Sequence, residues 1–126
     1  MADEKRVLVL DDEPIVGERL QEALEKEGYS VEVFTESAAA IERLKEQSFC
    51  VLVTDMKMRG PSGMDVLRFV KEKGLPTHVI VITGYATIET NYEAQALGAF
   101  QFIPKPFKMA ELVKLVGKAC KSAGAS

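Results

Sequence analysis

Short apolar runs alternate five times with stretches of helical period, and this alternation narrows the fold more than any other feature of the chain. The runs are Val7 to Leu10, Val31 to Phe34, Val51 to Thr54, Val79 to Thr83 and Phe100 to Ile103. Between them the apolar spacing changes to that of a helix. Val16, Leu20, Ala23, Leu24 and Glu27 share one helical face, apolar except for the last, with Pro14 suited to the first turn and Gly28 as a stop. Ser37 reads as the cap of a second helix bearing Ala38, Ile41 and Leu44. Ser62 and Asp65 form a capping-box start for a third, with Met64, Leu67 and Val70. A fourth helix is predicted from Thr87 to Leu97, ended by Gly98, and a fifth carries Met109, Leu112, Val113, Val116 and Cys120.

Strands alternating with helices imply βαβ units and a parallel sheet. "VLVL", "VLVT" and "VIVIT" are apolar throughout, as expected of central strands covered on both faces. "VEVF" and "FQFI" alternate, as edge strands do. With right-handed crossovers this gives an α/β doubly wound, five-stranded parallel sheet of order 2-1-3-4-5, flavodoxin-like, with five flanking helices. The whole of 1–126 reads as a single domain with its core over 5–120, and "KSAGAS" reads as a frayed tail.

Composition excludes several classes. A net charge of −3 and a pI near 5.3 speak against direct nucleic-acid binding. No apolar run approaches the ~20 residues of a membrane span, and "MADEKR" is not a signal peptide. Cys50 and Cys120 have no metal-site spacing, so reduced, buried thiols in a cytoplasmic protein are expected, with neither a disulfide nor a zinc site. His78 opens the fourth strand, at the end away from the acidic residues, and reads as structural.

In such a sheet ligands bind beyond the carboxyl ends of the strands, where the strand order reverses, here between strands one and three. Strand one delivers Asp11 and Asp12 there, strand three Asp55, strand four Thr83, and Lys105 follows strand five. Carboxylates ~4 Å apart repel by roughly 4 kcal/mol at an effective dielectric near 20. A hard divalent cation with oxygen ligands, Mg²⁺, would offset that cost and screen an incoming phosphoryl group. Asp55, alone at the end of a central strand, is the best nucleophile for an aspartyl phosphate. Asp12 is the best metal ligand, with Asp11 in support. Lys105 and Thr83 suit phosphate oxygens, as charge and as hydrogen-bond donor.

The acidic pair Asp11-Asp12, Asp55 in "VLVTDMKM", Thr83 in "VIVITGYA", Lys105 in "FIPKPF" and the preceding "LGAFQF" resemble the receiver domain of two-component response regulators, over about Lys5 to Cys120. The resemblance implies that Asp55 takes a phosphoryl group from a phosphohistidine on a sensor histidine kinase or phosphotransfer protein. It implies Mg²⁺ held by Asp12, Asp55 and the backbone carbonyl of Lys57, with Asp11 reaching it through water. Thr83 and Phe102 would be the switch pair, reporting phosphorylation to the face formed by the fourth helix, fifth strand and fifth helix, which is also a homodimer face. The Lys105-Pro106 bond would be cis. Such a chain assists its own phosphorylation and dephosphorylation but is not a multi-turnover enzyme. Arg59 stands where the family often has proline, with Pro61 two residues later. Lys57 and Tyr85 stand at positions that tune phosphate lifetime, and a bulky Tyr85 is expected to lengthen it.

Three other readings compete. A phosphatase resembling the haloacid-dehalogenase group would want a D-x-D pair after the first strand, where this chain has adjacent Asp11-Asp12. A flavin carrier would want a phosphate-cradling, hydroxyl-rich loop there, and the loop is acidic. A receiver-like module that binds without phosphorylation would not need its site residues intact.

Overall fold

A computed structural model describes residues 5–58, 60–84 and 86–125, with side chains as far as Lys121. The expectations placed on Arg59 and Tyr85 therefore lie outside the described residues. In chain order the elements are β1 (Arg6–Leu10), α1 (Pro14–Glu25), β2 (Ser30–Phe34), α2 (Ser37–Glu46), β3 (Val51–Asp55), α3 (Gly63–Glu72), β4 (His78–Thr83), α4 (Ile88–Ala96), β5 (Gln101–Pro104) and α5 (Met109–Ala125). All neighbouring strands pair in parallel, in the order β2-β1-β3-β4-β5. That is the predicted doubly wound topology.

The pleat divides each central strand between two cores. Leu8, Leu10, Leu52, Val79 and Val81 face α2, α3 and α4, meeting Ala40, Leu44, Met64, Leu67, Val70 and Ala94. Val7, Val9, Val51, Val53, Ile80 and Ile82 face α1 and α5, meeting Leu20, Leu24, Leu112, Val116 and Ala119. Both faces of β1, β3 and β4 are therefore dry, which is why their sequences do not alternate. Full burial of each such side chain is worth about 1.5–3 kcal/mol. The edges are wetter: β2 beyond Val31 is half-buried, and in β5 Phe102 and Ile103 are half-buried while Gln101 and Pro104 are exposed.

Local signals explain most boundaries. Pro14 opens α1, and Gly28, at φ 94°, turns the chain after it while Tyr29 N–H bonds Leu24 O at 3.2 Å. The Ser62/Asp65 capping box opens α3 as predicted, and Thr87 with Thr90 builds a second such box for α4. His78 heads β4 and packs on Phe100, ring centroids 5.1 Å apart. Among the described residues no helix is long and apolar enough to cross a membrane.

Three expectations need correction. Ser37 is not a cap: Glu36 holds that position, and the buried Ser37 is the first helical residue, its hydroxyl donating to Pro61 O instead. "KSAGAS" is not frayed through its length, because α5 continues to Ala125 in a stretch that is mostly helix-tolerant small residues. Cys50 and Cys120 are not free thiols but a disulfide, with Cα atoms 4.9 Å apart. Spacing could not reveal the pair, because a separation of 70 residues is closed only when α5 packs across the start of β3.

Closing a loop of that length limits the unfolded chain, and such bonds typically contribute about 2–4 kcal/mol. Alkylation of the denatured protein should therefore label neither cysteine without reductant and both after reduction. The reduced protein should also melt at lower temperature; two labelled thiols in unreduced protein would remove the bond from this account.

Candidate functional site at the carboxyl ends of the strands

Each predicted residue reaches the site because a strand ends there. β1 stops at Leu10, and Asp11 continues its line, its N–H bonded to Phe34 O of β2 at 3.1 Å. Asp11 is fully buried and Asp12 exposed. β3 ends on Asp55, which is 7% exposed, and β4 ends on the buried Thr83. β5 ends at Pro104, and the next residue, Lys105, is fixed by its N–H to Thr83 O at 2.7 Å. The Lys105-Pro106 bond is cis, as the resemblance implies.

The ammonium of Lys105 joins the strand ends. Its Nζ donates to Asp55 Oδ2 at 3.0 Å and to Asp11 Oδ2 at 3.3 Å. It also reaches Glu13 Oε1 at 3.4 Å. Carboxylate oxygens of Asp11, Asp12 and Asp55 all lie within 4.8 Å of one another. One fixed cation thus faces three clustered acids, and Glu13 adds a fourth at the rim.

Electrostatics follow the burial. Desolvation pushes the Asp11 carboxyl above its ordinary range, outweighing the hydrogen bond from Glu13 N–H (2.9 Å) and the attraction of Lys105, and the Asp55 charge adds to the rise. Burial alone would lower the Lys105 ammonium. Its hydrogen bond to Asp55 and the charges of Asp11 and Asp55 more than reverse this and hold its pKa above the usual lysine range. A buried acid held partly against its preference to be neutral, beside two others, suits an added hard cation with oxygen ligands. Among the described residues, Asp11, Asp12 and Asp55 are the clustered side chains that could hold one.

Of the residues singled out from sequence, Asp11, Asp12, Asp55 and Lys105 are brought together. Lys57 follows two residues after Asp55 and is exposed, with its N–H donating to Asp55 Oδ1 at 3.3 Å. Thr83 lies at the end of β4, paired in register with Pro104. Phe102 is half-buried on β5, opposite Val81, against the core under α4. Sequence reasoning missed two residues. Glu13 was not among the predicted site residues; its contact with Lys105 is a tertiary one, and at 62% side-chain exposure that ion pair is worth little. Gly63 was not singled out at all. Its N–H bonds Met56 O at 2.8 Å, and a Cβ there would collide with the backbone carbonyl of Asp55. Its only sequence signal was a glycine opening a helix, where none is needed for capping.

The raised Asp11 pKa has a stability consequence with a definite sign. Its folded pKa exceeds the unfolded value near 3.8, so the favourable contribution is fully present below that pH and is lost as pH rises through the folded pKa. Asp11→Asn should therefore raise the melting temperature of metal-free protein at pH 7 by a few degrees, a gain that disappears below about pH 3.8. Melting curves in chelator across that range check both parts.

With this geometry established, comparison with known proteins is direct. The family model described as response regulator receiver domain matches residues 7–117. The transcriptional regulatory protein CutR of Streptomyces coelicolor is 34% identical over 111 residues, covering 88% of this chain and 51% of its own length. The chain thus spans about half the length of that curated relative. A response regulator receiver domain from Clostridium thermocellum superposes with TM-score 0.88 at 30% identity, covering 95% of this chain and 97% of its own. The beryllofluoride-activated NtrC4 receiver domain, solved as a dimer, also gives TM-score 0.88, at 34% identity, covering 94% and 98%. The chain belongs to the response regulator receiver domain family.

Proposed function

We propose that the chain is the phospho-accepting receiver of a two-component system, that Asp55 is the residue phosphorylated, and that the reaction depends on Mg²⁺. The observation that carries this reading is the bridge from Lys105 Nζ to both Asp55 Oδ2 and Asp11 Oδ2, with Asp12 in the same cluster. It supplies a nucleophilic carboxylate, a fixed positive charge for phosphoryl oxygens and a set of acids for a metal within one small space.

Asp12, Asp55 and the backbone carbonyl of Lys57 would hold the ion directly, and Asp11 through water. When bound, Mg²⁺ supplies neutralisation of the acids and polarisation of the phosphoryl oxygens. The remaining work belongs to the chain. An Asp55 carboxylate oxygen attacks phosphorus in line, and the bond from phosphorus to the donor's imidazole nitrogen breaks. The electron pair leaves on that nitrogen, which is protonated from solvent. Lys105 moves from carboxylate to phosphoryl oxygens, and the Thr83 hydroxyl donates to another. Phosphorylation adds about −1.5 to −2 charge at this point. Movement of Thr83 toward it, with Phe102 following, alters the face of α4, β5 and α5.

The donor on this reading is a sensor histidine kinase or a phosphotransfer protein, and the compartment is the cytoplasm. The buried Cys50–Cys120 bond runs against a reducing compartment, and the thiol count described above bears on that point. The output face favours self-association. Ile88 and Tyr92, one helical turn apart on α4, are 86% and 77% exposed, and the NtrC4 receiver was solved as a dimer. The chain acts as a single domain without binding nucleic acid or membrane itself, and not as a multi-turnover enzyme.

Intact-mass measurement after treatment with a small phosphodonor tests the assignment. The wild-type chain should gain one phosphoryl group with Mg²⁺ and little or none in chelator. Asp55→Asn should gain none, and an adduct that persists in that variant would overturn the reading.

A further inference from the structure

The loop between β3 and α3 carries Lys57, whose N–H reaches Asp55 Oδ1 at 3.3 Å and whose carbonyl would hold the ion on the reading above, so whatever fixes its path bears on the site. Several contacts do. Met56 N–H bonds Ile82 O at 3.1 Å, tying the start of the loop to β4. Gly63 N–H returns to Met56 O at 2.8 Å and closes the loop on itself. Gly60, at φ 71°, supplies a turn between them. The far limb is held from a different element: the Ser37 hydroxyl, on the first residue of α2, donates to Pro61 O at 2.6 Å.

Three features set this bond apart from an ordinary surface contact. Ser37 is fully buried, so water does not compete for its hydroxyl. It joins residues 24 positions apart, and so cannot be a capping bond within its own helix. Its acceptor precedes Ser62, the residue whose capping box starts α3. Letting go of Pro61 therefore removes a tie from the far limb of the loop that carries Lys57.

We propose that Ser37 is a positioning residue for the metal and phosphoryl site, acting through Pro61 to hold the β3–α3 loop so that the Lys57 carbonyl stays in place beside Asp55. This rests on the metal and phosphorylation reading given above. Ser37 touches neither the ion nor the phosphoryl group. Its effect is on the order of the loop, and therefore on metal affinity before any transfer takes place.

The experiment is calorimetric Mg²⁺ titration of the wild-type chain, Ser37→Ala and Ser37→Thr, with phosphoryl uptake from a small phosphodonor followed at low and saturating Mg²⁺. Ser37→Ala should bind Mg²⁺ about fivefold more weakly, equivalent to about 1 kcal/mol at 1.4 kcal/mol per tenfold. Its uptake should fall by a similar factor at low Mg²⁺ and come within twofold of wild type at saturation. Ser37→Thr, which keeps the hydroxyl, should restore the affinity. A Ser37→Ala affinity within twofold of wild type, whatever its melting temperature, would overturn the inference and leave the proposed function standing. If the alanine variant does not fold, Ser37→Cys, a poorer donor of similar size, is judged by the same threshold. A wild-type chain that binds no Mg²⁺ and gains no phosphoryl group would overturn the proposed function and this inference together.

Discussion

Like charges crowded at the ends of β1 and β3 are the constraint to which the rest of the structure answers. Asp11 is fully buried, Asp55 nearly so, and Asp12 lies within the same cluster. In an interior of low dielectric such a group does not persist uncompensated. Lys105 supplies the compensation that the fold itself can provide. It reaches the site because β5 lies beside β4 and because its own N–H is fastened to Thr83 O. The charge balance is incomplete, since one ammonium faces more than one carboxylate, and Asp11 remains pushed toward its neutral form. That residual imbalance is the ground for the proposed cation, whose charge would in turn offset that of an incoming phosphoryl group.

The sheet explains how this strain on charge is tolerated. β1, β3 and β4 are packed on both faces, so their ends are held rigidly, and four strands deliver their terminal residues to one place. The loops after them are fastened by backbone bonds rather than by long side chains. Gly63 rests on the Asp55 carbonyl with no room for a Cβ, and Ser37 holds Pro61. At the opposite face of the sheet the Cys50–Cys120 bond ties α5 to the start of β3. By contrast α4 buries only Ala94 along its length and leaves Ile88 and Tyr92 in solvent. On the proposed reading, a well-anchored strand carrying Asp55 and a lightly packed α4 would let a charge added at the site alter the surface.

Much of this was legible in the sequence because it depends on period and on strand ends. Runs such as "VIVIT" announced strands buried on both sides, and the acids after the first and third runs, Asp11, Asp12 and Asp55, do come together with Lys105 at the strand ends. The strand order followed from which runs alternated. What stayed hidden was tertiary. Ser37 has the right chemistry for a cap, and only the approach of the loop at Pro61 shows that its hydroxyl is used elsewhere. Cys50 and Cys120 carry no spacing signal, since helix packing alone closes their separation. The bidentate pairing of Arg43 with Glu32, at 2.7 and 2.9 Å between α2 and β2, was equally invisible from local pattern. Gly63 drew no notice in the sequence, because only the Asp55 carbonyl lying against it in the fold shows why a side chain has no room there.

The central claim is that the acidic cluster takes a divalent cation to complete the charge balance that Lys105 begins. A ligand that binds only the folded chain raises its stability in proportion to RT ln(1 + [L]/Kd). Melting temperature measured against Mg²⁺ concentration, for the wild-type chain and for Asp12→Asn, therefore tests the claim most directly. The account predicts a steady rise for wild type and a rise shifted to at least tenfold higher Mg²⁺ for Asp12→Asn. A wild-type melting temperature indifferent to Mg²⁺, or one that rises equally in the variant, would contradict it.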